Sequence, residues 1–262
     1  FFPSLSFSSL QLSNFFNTAF FIQTSSNLLV KKSFFSKFLK TPIIDSRPEI
    51  PDFSRKCLDR LNHLTEITET TFQICSTDNF ADTDTVNSSG GALFFQSDGG
   101  RTISIKQCNF AYCHAGINGG AIYVQYSRLL DISFTYFQDC DTGFMHNHGT
   151  VDESRGGAIY ACCLYLNMTS SNFTRCSIGS TYSQKYGGAI FLARCGEIEA
   201  QGLKIVLSRF DDCGTTGVNH GGVIFINCTN IPSKNFFANI SFTNFTNCEY
   251  SSGGSIIDIV GD

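Results

Sequence analysis

The chain has 262 residues, 15% of them charged, with a net charge of −4, 27 Phe, 12 Cys and no Trp. It has no basic stripe for a polyanion, which argues against nucleic acid as a partner. No run approaches the roughly 18 apolar residues of a membrane-spanning helix, and any membrane anchor is expected outside this sequence.

The first 40 residues hold two similar stretches, "SSLQLSNFFN" and "SNLLVKKSFFS", about 19 residues apart. They read as two short coils opening a β-solenoid. Residues 41–65 break the pattern with three prolines in "TPIIDSRPEIP" and read as a linker, with "FSRKCLDRLNHL" as a short helical insertion. From residue 66 to 262 a repeat takes over.

Gly-Gly pairs begin at 90, 119, 156, 187, 221 and 253, mostly as G-G-A-I-[Y/F], at spacings of 29, 37, 31, 34 and 32 residues. Phe-x-x-Cys alternates with them, at Phe72/Cys75, Phe110/Cys113, Phe137/Cys140, Phe173/Cys176, Phe210/Cys213 and Phe245/Cys248. Five residues before each Phe stands Ile67, Ile105, Ile132, Met168, Ile205 or Ile240. Self-similarity at this period marks a stacked-repeat architecture. Short apolar runs, β-branched and aromatic residues and Gly punctuation indicate strands rather than helices.

A five-residue step from Ile to Phe cannot keep both on one face of a straight strand, because faces alternate with period two. A bend is therefore expected near Thr70, Thr135, Ser171, Ser208 and Thr243. The fold expected is an all-β, right-handed, single-stranded parallel β-helix, its hand following the crossover rule. The eighteen Ile/Met, Phe and Cys positions should form internal columns. Variable loops from each Cys to the next Gly pair, 4 residues at 249–252 and 15 at 141–155, should gather on one edge. The closing "GGSIIDIVGD" stops after one strand, so an open, truncated C-terminal edge is expected.

The alternation of G-G-A-[I/L/V] with Phe-x-x-Cys from Thr65 to Asp262 resembles the polymorphic outer membrane protein family, with Cys at the fourth position where that family carries Asn. The resemblance implies an extracellular, surface-exposed β-helix with an adhesin-like role. It supplies no catalytic residue.

Twelve cysteines raise disulfides and metals. Six form the Phe-x-x-Cys column, where buried free thiols acting as small hydrophobes are the favoured reading. Disulfides are the alternative. Zinc is disfavoured, because the adjacent pair Cys162-Cys163 lacks partners at ligand spacing. Asn-x-Ser/Thr sequons stand at Asn87, Asn167, Asn172, Asn227, Asn239 and Asn244. An inward Asn ladder at Asn109, Asn172 and Asn244 competes with glycosylation. Arg209, Asp211, Asp212 and His220 are the densest catalytic candidate, yet the two Asp fill the x-x of a structural motif. His146, His148, Asp152 and Glu153 cluster in one loop and read as a solvated surface. The expectation is a non-enzymatic surface protein that needs no cofactor and binds a glycan or a protein. A polysaccharide-cleaving lyase or hydrolase and a plain structural rod are the alternatives.

Overall fold

The computed structural model describes residues 4–22, 27–46, 64–77, 89–96, 100–143, 153–179, 184–194, 201–215, 219–229, 236–248 and 255–261. Among them the chain is all-β, without helix, and it forms a parallel β-helix solenoid. Eight coils stack: 4–22, 27–46, 64–96, 102–125, 129–162, 165–193, 201–227 and 236–260. Every named strand pairing is parallel and links one coil to the next.

Register carries the repeat into columns. Phe7, Val30, Ile67, Ile105, Ile132, Met168, Ile205 and Ile240 pair in succession across the first sheet. Leu12, Phe35, Phe72, Phe110, Phe137, Phe173, Phe210 and Phe245 do so across the second. Phe35 to Phe245 form one continuous ring stack, with centroids 4.5–5.1 Å apart and planes within 10° of parallel. A spacing near 4.8 Å is the strand separation itself, so the backbone ladder dictates the ring ladder. Both columns are fully buried in the central coils and half-buried at Ile240 and Phe245.

The third column is sulfur. Cys75, Cys113, Cys140, Cys176, Cys213 and Cys248 are all free thiols, with Phe15 and Phe38 in the same place on the first two coils. The thiols of Cys113, Cys140 and Cys176 each reach the Phe carbonyl of the preceding coil, at 3.8, 3.5 and 3.7 Å. A small apolar side chain with a weak donor suits a site bounded by stacked backbone.

The bends lie beside the small residues, as expected. The residue taking φ of +50° to +54° after each central Ile or Met is Glu69, Gln107, Phe134, Ser170, Leu207 or Phe242, and a Ser or Thr follows it except after Gln107, where Cys108 stands. The hydroxyls tie the corner together. Thr135 Oγ1 and Ser171 Oγ each donate to the carbonyl two residues back, both at 3.0 Å. Each also accepts an amide from the coil before, at 3.4 and 3.3 Å, so corner groups that face away from the ladder are paired. A second such corner follows each Phe, at Ile74, Tyr112, Asp139, Arg175, Asp212 and Asn247.

The Gly pair answers to two separate needs. The first glycine, Gly119 for example, has φ +60°. The second, Gly120, passes so close to its neighbours that a Cβ would lie 2.2 Å from Gly157 O and 2.3 Å from Asp141 O. One glycine is required by conformation and the other by backbone contact.

Two expectations need correction. The opening coils repeat at 23 residues, Ser4 pairing Asn27, rather than 19. Ile43–Ser46, inside the expected linker, is a strand of the stack that pairs with Phe20–Ile22 and Leu93–Gln96. Strand periodicity over four residues is too short to outweigh flanking prolines in a sequence reading. Residues 47–63, which hold the expected helical insertion up to Leu64, lie outside the described residues, and Leu64 and Thr65 belong to the strand Leu64–Thr68 rather than to a helix or linker.

Candidate functional site

The candidate site is the edge at which the loops emerge. After Cys113, Cys140, Cys176 and Cys213 the chain runs through a short strand, His114–Ala115, Asp141–Thr142, Ser177–Ile178 or Gly214–Thr215, and these four pair in parallel. It returns through Glu153–Arg155, Gln184–Tyr186 or Asn219–His220, a second parallel ladder that leads into the Gly pairs. Departure and return are thus both fixed, and length differences fall between them. Ser154 Oγ lies 2.8 Å from both Thr142 Oγ1 and Ile117 O, which clasps the base of the longest loop.

Beside the returning strands runs a second aromatic ladder, on the outer face of the sheet. Phe94, Tyr123, Tyr160, Phe191 and Phe225 stack at 4.8–5.4 Å. These are the fifth residues of the G-G-A-I-[Y/F] motif. The inward Leu or Ile before each puts the aromatic outward by simple alternation. The motif's recurring Tyr/Phe is the sequence signal for this ladder. Tyr186 packs edge-on against Phe191 and Phe225, at 6.1 and 5.0 Å. The Arg155 guanidinium sits 5.9 Å above Tyr186 and 5.7 Å above Phe191 while pairing with Glu153. Burial raises the phenols of Tyr123 and Tyr160 and lowers the ammonium of Lys185.

The sequence-level catalytic candidates do not gather into one site. Arg209 pairs with Asp211 at 3.2 Å on one sheet face, and Asp212 occupies a corner at φ +54°. The backbone of His220 belongs to the returning ladder. In the loop cluster, Glu153 is engaged by Arg155, whereas His146, His148 and Asp152 lie outside the described residues. Among the described residues no three His, Cys, Asp or Glu side chains are grouped to hold a metal ion.

Stacking creates pairs that spacing could not reveal. Asp139 takes a bidentate bond from Arg175, 2.6 and 2.8 Å, and that guanidinium holds its carboxyl below the usual range. His114 Nδ1 meets Asp141 Oδ1. Cys162, outside the thiol column, is disulfide-bonded, while its neighbour Cys163 is a buried free thiol.

Asn109 and Asn244 are exposed and Asn172 half-buried, all on the outer face, so no inward Asn ladder exists there. Each lies one residue before an inward Phe and so faces out. Asn239 is exposed and Asn167 and Asn227 are half-buried, while Asn87 lies outside the described residues. No family model, curated protein or solved structure matches this chain.

Proposed function

We propose that this chain is a non-enzymatic, surface-exposed β-helix that acts in adhesion, binding a glycan or a protein through its loop edge. The observation that carries this reading is the division of labour along the coil. Ile, Phe, Cys and Gly spend every regular position on the stack. Sequence variation and length variation fall between two fixed ladders on one side, and loops on a rigid frame are where binding concentrates. The repeat's likeness to polymorphic outer membrane proteins supports the same role. The disulfide at Cys162 supports an oxidising, extracellular address, and among the described residues eight of the nine free thiols are buried, which would shield them there.

The test is to offer the chain a panel of immobilised neutral polysaccharides and extracellular proteins and to measure both retention and released reducing ends. Retention without cleavage is expected. Cleavage of a polysaccharide that is abolished by Asp211→Ala or Asp212→Ala would overturn the reading in favour of a β-helix carbohydrate-active enzyme.

A further inference from the structure

Coil 8 carries two of the most exposed apolar side chains, Phe237 at 58% and Phe242 at 82%. Phe242 stands at the left-handed corner, φ +50°, that Phe134 and Leu207, each 58% exposed, hold in other coils.

Both rings stand two residues before a sequon asparagine: Phe237-x-Asn239-x-Ser241 and Phe242-x-Asn244-x-Thr246. Coil 6 repeats the arrangement as Tyr165-x-Asn167-x-Thr169, with Tyr165 46% exposed. On a strand, residues i and i+2 share a face roughly 6.5–7 Å apart. Tyr165 with Asn167 and Phe237 with Asn239 each lie on one strand and therefore point out together, whereas Phe242 stands at the corner before the strand of Asn244, with Thr243 between them donating to Ser241 O at 3.0 Å. Gly202 makes room for one of these rings. A Cβ there would lie 2.8 Å from Tyr165 Cδ1, so the ring covers the bare glycine on the sheet surface.

Register adds a second, independent feature. Asn167, Lys204 and Asn239 form one outward column, and Asn172, Arg209 and Asn244 another. In both, sequons occupy coils 6 and 8 and a basic residue occupies coil 7. Alternate coils lie about 9.6 Å apart, twice the strand spacing, which leaves a sugar lateral room that adjacent coils would deny.

We infer that Asn167 and Asn239 carry N-linked glycans whose first sugar rests on Tyr165 and Phe237. The inference rests on the extracellular reading above. The step is a group transfer without redox change. The asparagine nitrogen loses a proton and bonds to the anomeric carbon of a lipid-pyrophosphate-linked oligosaccharide. The bond from that carbon to the phosphate oxygen breaks, and the pyrophosphate leaves with the electron pair. The negative face of the ring then meets the polarised C–H edge of the sugar, covering apolar surface that the bare chain leaves in water. These exposed aromatics are glycan rests, and the ligand-binding surface is the loop edge on another side of the coil.

The experiment is secretion of the chain behind a leader peptide from a eukaryotic host, with site occupancy read by glycopeptide mass spectrometry. Melting is then compared before and after trimming to a single N-acetylglucosamine and after full removal. Occupancy at Asn167 and Asn239 is expected, with the trimmed form melting roughly 2–4 °C above the bare one. Phe237→Ala should erase the part of that gain that Asn239→Gln also removes. Asn172, preceded by Ser170, is the internal control and should give no gain. Empty sites in the secreted chain, or a gain indifferent to Phe237→Ala, would overturn the inference and leave the surface reading standing. Occupied sites in the secreted chain but bare sites in chain recovered from its own source would overturn the surface reading, and natural modification with it.

Discussion

Asp45 and Arg101, 56 residues apart, form an ion pair inside the coil with neither side chain exposed. Asp45 takes the inward position that Ile22 holds in the coil before and Phe95 in the coil after, and the Arg101 guanidinium lies 5.9 Å from the Phe95 ring. Two charges in an otherwise apolar column depend on each other. Asp45→Ala alone should cost about 3–5 kcal/mol, because it removes the carboxylate paired with a buried cation, whereas Asp45→Leu with Arg101→Met should come near neutral. Chemical denaturation of the singles and the double checks this. Additive losses would show that the pair is not coupled.

Backbone conformation predicts two substitutions of opposite sign. Gly120→Ala drives a Cβ into two carbonyl oxygens and should destabilise by several kcal/mol, of order 3 or more. Ile74 is a β-branched, exposed residue at φ +53°, so Ile74→Asn should stabilise by about 1 kcal/mol. Denaturation midpoints of both variants decide the matter.

The stacked thiols predict a loss of stability in alkali. Burial pushes Cys108 and Cys163 up to about 12 and raises Cys113 and Cys176 well above the ordinary value. Below about pH 8.5 both folded and unfolded chains keep these protons, and the contribution is complete. Above it the unfolded chain ionises first, so stability falls by about 1.4 kcal/mol per pH unit for each such thiol until the folded value is reached. Melting followed from pH 8 to 11 should show this decline, and a flat profile would contradict it. Alkylation should leave the core thiols untouched in the folded chain. In denaturant it should modify all nine described free cysteines without prior reduction, and Cys162 only after it.

The inner columns were legible because each coil restates them. Phe137 and Phe173 share a column for the reason they share a motif, and a period with fixed internal spacing survives variable loops. Outward pairs were not legible. His114–Asp141 and Asp139–Arg175 join residues 27 and 36 apart, a register that only the stacked loops determine. Asp45 was hidden in a proline-rich stretch that reads as linker, and its partner Arg101 sits beside glycines that read as loop. The outer aromatic ladder stood in plain view in G-G-A-I-[Y/F], but its meaning needed the alternation that makes Ile159 inward and Tyr160 outward. The boundaries of the longest loop were also set too wide. Thr142 and Ser154 clasp its base and belong to the frame.

The central claim is that the columns hold the fold and the loop edge binds. It is tested most directly by replacing residues 144–152 with a Gly/Ser segment of equal length, sparing Thr142 and Ser154, and comparing this variant with Phe137→Ala. Attachment to the surface or ligand retained in the binding panel is measured with the melting transition of the same samples. The loop variant should lose attachment at least tenfold with a melting temperature unchanged within about 1–2 °C, since substitutions away from the paired frame are close to neutral. Phe137→Ala should instead lose about 3–5 kcal/mol of stability and, while folded, keep its affinity. Full attachment by the loop variant, or a collapse of its melting transition, would contradict the account.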